Sequence, residues 1–379
     1  MIVSFQLWKI VLGLFISAAL MVFAVSYIGD YMQQQNDVLR AKVMNNFEIG
    51  CYEVYSSGNS LDFNDFSKIP FDDVGFSAKG TPGIVVPRLG RKSMKIPVFF
   101  SLGEKVFVWR GENDVGWWKF RYVVAMPETE ILFSMSQNSV DAWEVLKDLV
   151  KALPDSTNFE NKVTYGFCYG DKIVRNFCGR KGKEPCEAKT FLEVVEAGVD
   201  VHYSKCTAEP NKNQRLVTIA ASCPAGFSGV CIEPGDGSGR AYLAGTETVF
   251  HYKDPLDLAL LVVGYDKRDL YGVVGENFFI YKNLEMSKEL LLAAKIVSRR
   301  SQLLSGELES MIENDLMDSD AEEAACVELF QKMETVVEEM ESMLKSDVSD
   351  ERSSQEMGRL KETAAGLKRD MVEKGCDYA

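Results

Sequence analysis

The stretch "RYVVAMPETEILFSMSQNSVDAWEVLKDLVKAL", Arg121 to Leu153, sets two strands and a helix in a row. "RYVVAM" and "EILFSM" are short apolar runs broken by Pro127, the texture of buried strands. In "SVDAWEVLKDLVKAL", Val140, Trp143, Leu146, Leu149 and Val150 recur along one helical face. The pattern then repeats: "NKVTYGFCYG" reads as strand, "CEAKTFLEVVEAG" as helix ending at Gly198, and "VDVHYSKC" and "RLVTIAAS" as strands. "GRAYLAG" and "ETVFHYK" add a strand pair. Strand–helix alternation predicts a three-layer α/β domain over residues 122–282, and the later pairs make its sheet mixed. The whole chain is thus α+β or α/β.

Upstream, residues 51–121 are strand and turn. "KIPVFFSL" and "EKVFVWRG" are aromatic and β-branched, and "GTPGIVVPRLG" reads as loop, strand, loop. Trp109, Trp117 and Trp118 suit either a binding surface or a core, and strand aromatics favour the core.

Ile10–Ile28, "IVLGLFISAALMVFAVSYI", carries no charge over 19 residues. As a helix it is about 28 Å long, against a hydrocarbon core of about 30 Å. A single-span anchor is the first reading. A cleaved signal peptide, with Ala24-Val25-Ser26 as a small-x-small site, is the second, and a buried core helix the third. Lys9 on one side and Arg40 and Lys42 on the other leave the charge rule for orientation undecided. No later run reaches spanning length; "LDLALLVVGY" suits a buried strand or short core helix. Residues 29–50 continue as a stalk helix on Met32, Val38, Leu39, Val43, Met44 and Phe47.

Residues 283–379 form a helical tail. Met286, Leu290, Ala293, Val297, Leu304 and Met311 keep a heptad register. So do Cys326, Phe330, Met333, Val337, Met340 and Leu344, and then Met357, Leu360, Ala364, Leu367 and Met371. "SDAE" at Ser319 and "SSQE" at Ser353 have capping-box spacing. The seams suit a coiled coil that joins chains, as a homo-oligomer or with another protein. They suit equally an antiparallel hairpin turning at "SDVSDE".

The net charge of −14 argues against a nucleic-acid partner. Between Ser305 and Lys345 stand 13 acidic and 2 basic residues, so this segment supplies −11 of it.

Cys168, Cys178, Cys186, Cys206, Cys223 and Cys231 fall within 64 residues, and none forms CxxC. Only two histidines are present, His202 and His251, without zinc-finger spacing. No metal and no cofactor is expected, and the absence of CxxCH excludes standard covalent haem attachment. Behind an anchor, such cysteines fit disulfides in an oxidising compartment. That places the amino terminus (residues 1–9) inside, residues 10–28 in the plasma membrane, and the body outside. Six cysteines allow 15 connectivities, which spacing does not resolve. Cys326 and Cys376 would meet at one end of a hairpin, leaving Cys51 free or intermolecular.

Among motifs, "EPGDGSGRAYLAG" lacks a P-loop Lys-Ser/Thr and reads as a hairpin turn. "AGFSGV" has Ala225 where a nucleophile elbow needs glycine. The acid pairs Asp72/Asp73 and Asp254/Asp257 read as solvated turn carboxylates before they read as acid–base or Ca²⁺ groups. Lys172, Arg175, Arg180, Lys181 and Lys183 form a basic cluster that could meet an anionic glycan, lipid head groups or an acidic partner, or stay a solvated face.

In order and texture the chain resembles uncharacterised single-span membrane proteins of small-genome (DPANN-type) archaea, over roughly residues 5–305. The resemblance is carried by the anchor, by "PVFFSLGEKVFVWRG" and "WWKFRYVVAM", and by "DLYGVVGENFFIYKNLEMSKELLLAAKIVSRRSQL". It implies an archaeal cell envelope and brings no activity or functional residues with it. The first residues lack the processing site and glutamate of a type IV pilin. The function expected is binding or assembly at the envelope, in a pilus-like or adhesive complex. The rivals are an exported hydrolase using carboxylates of the α/β domain and a cytosol-facing membrane sensor.

Overall fold

A computed structural model describes residues 2–69, most of 75–153 and 162–174, nearly all of 213–265, part of 275–310, and 321–345 and 351–376. Helix α1 runs unbroken from Ile2 to Ser57. The sequence reading ended this helix at Gly50, and the structure carries it seven residues further. Cys51 and Val54 prolong the buried stripe begun by Val43, Met44 and Phe47, so core contact keeps the chain helical. Gly50 is a packing glycine instead of a stop: a Cβ there would stand 2.6 Å from Leu61.

Residues 61–126 hold two small sheets. Strands β1 (Leu61–Phe63), β5 (Val98–Phe100), β6 (Val106–Asp114) and β7 (Lys119–Met126) form one, in the order β1-β6-β7-β5. Strands β2 (Gly75–Ser77), β3 (Gly83–Val86) and β4 (Gly90–Lys92) form the other. Helix α1 packs on β1, β6 and β7. Phe47 meets Phe63, Phe66 and Phe100 with ring centroids 5.1–5.5 Å apart, and Lys92 pairs with Glu48 at 2.7 Å. Trp109 is buried and stacked on Phe107, as strand aromatics lead one to expect; Trp117 and Trp118 lie outside the described residues.

The larger sheet has seven strands: β8 (Thr129–Met135), β9 (Val163–Tyr169), β10 (Lys172–Val174), β11 (Gln214–Ile219), β12 (Val230–Glu233), β13 (Gly239–Leu243) and β14 (Val249–Tyr252). Their order is β10-β9-β8-β11-β12-β13-β14. The four central strands pair in parallel and the outer ones antiparallel, so the sheet is mixed. Helices α2 (Val140–Ala152) and α3 (Pro255–Gly264) pack on each other. Ile131, Phe133, Val217, Ile219, Val230 and Ile232 share their core. Leu132, Cys168 and Leu216 form a separate buried cluster from the alternate positions of their strands, so both faces are covered. The helix read at Cys186–Gly198 and the strand read at Val199–Cys206 lie outside the described residues.

Strands β11 and β12 run parallel although only ten residues, 220–229, separate them. That is close to the shortest parallel crossover. It closes because Gly229 takes φ +86° with the Leu216 carbonyl oxygen 2.0 Å from where a Cβ would sit.

In the tail, α4 (Ala321–Lys345) and α5 (Glu351–Glu373) pack against each other within the chain. Cys326, Phe330, Met333, Val337 and Met340 meet Leu360, Ala364 and Met371 in a core of their own. Helix α5 begins two residues before the serine of "SSQE", so Ser353 sits inside its first turn.

Candidate membrane interface and disulfide-stapled face

A 56-residue helix cannot keep one environment. From Leu12 to Ile28 every α1 residue is exposed, with Phe15, Met21, Val22 and Phe23 at 70–73%. A patch of this size is untenable in water and ordinary in lipid. The described face of Phe15, Ala18, Ala19, Val22, Phe23 and Ser26 offers one hydroxyl and otherwise only hydrocarbon. By length and composition α1 can cross a membrane, and it is the one such helix among the described residues. Core contact begins at Leu39, leaving an exposed stretch of about 12 Å over residues 29–36.

The cysteines divide into those the structure describes and those it does not. Cys223 and Cys231 are bonded at 2.05 Å, tying the β11–β12 crossover to β12 itself. Cys326 and Cys376 are bonded across the α4–α5 pair. Cys168 is disulfide-bonded to a partner outside the described residues. Cys178, Cys186 and Cys206 lie outside them too. Cys51 is a free thiol, buried against α1's own packing face, where desolvation raises its pKa. Of the basic cluster, Lys172 opens β10, and Arg175, Arg180, Lys181 and Lys183 lie outside the described residues.

Beside the crossover, Glu233 is buried; it accepts hydrogen bonds from the Cys223 backbone N–H at 2.8 Å and the Tyr242 hydroxyl at 3.0 Å, and forms an ion pair with the Arg240 guanidinium at 2.8 Å. The disulfide and this carboxylate therefore pin the same loop. Burial, followed by the neighbouring Glu233, pushes the Tyr242 phenol up. Ser228 of "AGFSGV" stands exposed in this loop and leads into a strand, whereas a nucleophile elbow leads into a helix. His251 is on the edge strand β14; His202 lies outside the described residues.

One carboxylate departs from its sequence reading. Asp257 is no solvated turn residue but is buried in the first turn of α3, with Lys282 Nζ at 2.6 Å. Helix α3 is buried on all sides, so a charge there survives only when paired. A period-based reading of an apolar run gives no sign of this pair, because its other half is 25 residues away. Asp72, Asp73 and Asp254 lie outside the described residues.

A further group of perturbed side chains, Tyr55, Tyr281 and Glu289, gathers where α1 ends. Arg110 donates to the Tyr55 carbonyl at 3.2 Å and pairs with Glu112, which also holds Arg121. Desolvation, with help from Glu285, pushes the Glu289 carboxyl up to about 7. Tyr281, packed among Phe76 and Phe99, is raised mainly by burial. Among the described residues no three His, Cys, Asp or Glu side chains are grouped to hold a metal ion.

Comparison with family models, curated proteins and solved structures returns no match.

Proposed function

We propose that the chain is a single-span membrane protein with its amino terminus inside and its body outside, acting by binding or assembly at a cell envelope. The observation that carries this reading is α1: one rigid helix whose amino-terminal part is suited to lipid and whose carboxyl-terminal part belongs to the core of a disulfide-bonded body. Disulfides persist in oxidising compartments, which supports the outside placement. The carboxyl-terminal helices of residues 283–379, α4 and α5 among them, are the region through which chains or other proteins would join. An archaeal source is in keeping with the textural resemblance. Binding is favoured over hydrolysis because Glu233 and Asp257 in the α/β domain spend their oxygens on structural partners.

Protease protection on sealed membranes, with non-reducing mass spectrometry of the peptides, tests location. Cleavage of the body from outside, with Cys223–Cys231 and Cys326–Cys376 intact, is the expected result. A protected body with reduced thiols would sink the topology. Chemical crosslinking on the same membranes tests assembly, and a chain that captures neither a copy nor another protein argues against it.

A further inference from the structure

Leu292, Ile296 and Leu303 are 61%, 62% and 54% exposed. They belong to residues 275–310, whose described members are all helical. Steps of four and seven place the three on a single helical stripe, with exposed Arg299 on the same line. The heptad seam read from Met286 runs along a different side, and Met286 is buried. Met286 is therefore buried on one side of the segment while Leu292, Ile296 and Leu303 are turned outward on another, which calls for a partner.

The charges along the outward stripe indicate which partner. Glu289 stands at its amino end, beside a Glu285 already held by Lys288 at 2.7 Å, and Arg299 stands towards its carboxyl end. Turned end for end, the stripe complements itself. Glu289 is half-buried, and the influences on its carboxyl are burial and the like charge of Glu285, with no cation among them. A bilayer is a poor occupant. Glu289 lies close enough to Tyr55 to raise its phenol pKa, and Tyr55 is about 40 Å along α1 from Ile28.

Building on the assembly reading, we propose that this stripe pairs antiparallel with the same stripe of a second copy of the chain. Leu292 faces Ile296 of the partner subunit, and Glu289 faces Arg299 of the partner subunit. Leu303 closes the seam beside the Glu285–Lys288 ion pair. The contact is isologous, so each apolar and each charged pair occurs twice. A seam this short binds weakly in solution, and co-anchoring in one membrane raises its effective concentration.

Sedimentation of the full chain in detergent micelles over a concentration series tests the pairing. The double variant Leu292→Glu/Ile296→Glu should raise the dimer Kd about tenfold or more, since it removes the central anchors. Arg299→Glu should weaken the dimer as well, and adding Glu289→Lys should restore it to within about threefold. All four side chains are at least partly exposed, so loss of folding is not expected. A photo-crosslinker at Ile296 gives an independent readout and should capture residues around Leu292 of the other copy. A dimer that survives the double variant overturns the pairing and leaves assembly through another surface intact. Capture of Ile296 by Ile296 denotes parallel pairing and also overturns it. A strictly monomeric chain overturns both.

Discussion

Phe47 marks the place where α1 changes from a solvent-facing helix into a core helix. Its ring is 1% exposed and lies among Phe63, Phe66 and Phe100. Phe47→Ala should cost about 3–5 kcal/mol, read as a lowered denaturation midpoint with an unchanged slope. A loss below about 1 kcal/mol would mean that α1 is not seated in the body as described. Glu289 gives a pH signature. Its folded value of about 7 exceeds the ordinary value of about 4.3, so the folded chain binds the proton more tightly than the unfolded chain. Its contribution to stability is complete below about pH 4.3 and is lost as the pH rises through about 7. In dilute monomer, Glu289→Gln should flatten stability across that window. At pH 8 it should add about 1 kcal/mol, a figure discounted because the side chain is half-exposed. Denaturation curves at pH 5 and pH 8 check this, and an unchanged difference between them would refute it.

At the scale of elements, the β11–β12 crossover depends on its staple. Replacing Cys223 and Cys231 by serine should cost about 2–3 kcal/mol for so short a loop. It should also raise hydrogen exchange in residues 220–229 before it does so in β8. Uniform exchange across the sheet would show that the disulfide holds more than the loop. The periodic elements were legible from sequence because a strand or helix buried on one face repeats its apolar residues. "EILFSM" and "SVDAWEVLKDLVKAL" are found where their patterns put them, at β8 and α2. What stayed hidden depends on contacts distant in sequence. The last turns of α1 extend past Gly50 because Cys51 and Val54 are buried in the core, and Asp257 is buried because of Lys282. The outward stripe of Leu292, Ile296 and Leu303 was hidden for another reason. It shares its segment with a stronger heptad pattern, and a sequence does not say which apolar positions stay exposed.

For the whole molecule, the division of α1 predicts that the body does not need the anchor. Core contacts begin at Leu39, so a chain starting at residue 29 should fold and leave the membrane fraction. Circular dichroism and fractionation check this, and aggregation of the shortened chain would show that residues 2–28 also serve the core. The helix has one further consequence. No break separates its lipid-suited part from its docked part, so the joint is stiff. From Ile28 to Ser57 is about 44 Å of helix, and a 10° change of tilt swings the far end by about 8 Å. Tilt follows the thickness of the surrounding bilayer. A thinner membrane would thus lean the entire body over, and the height at which its outer surfaces stand would be set by the lipid beneath.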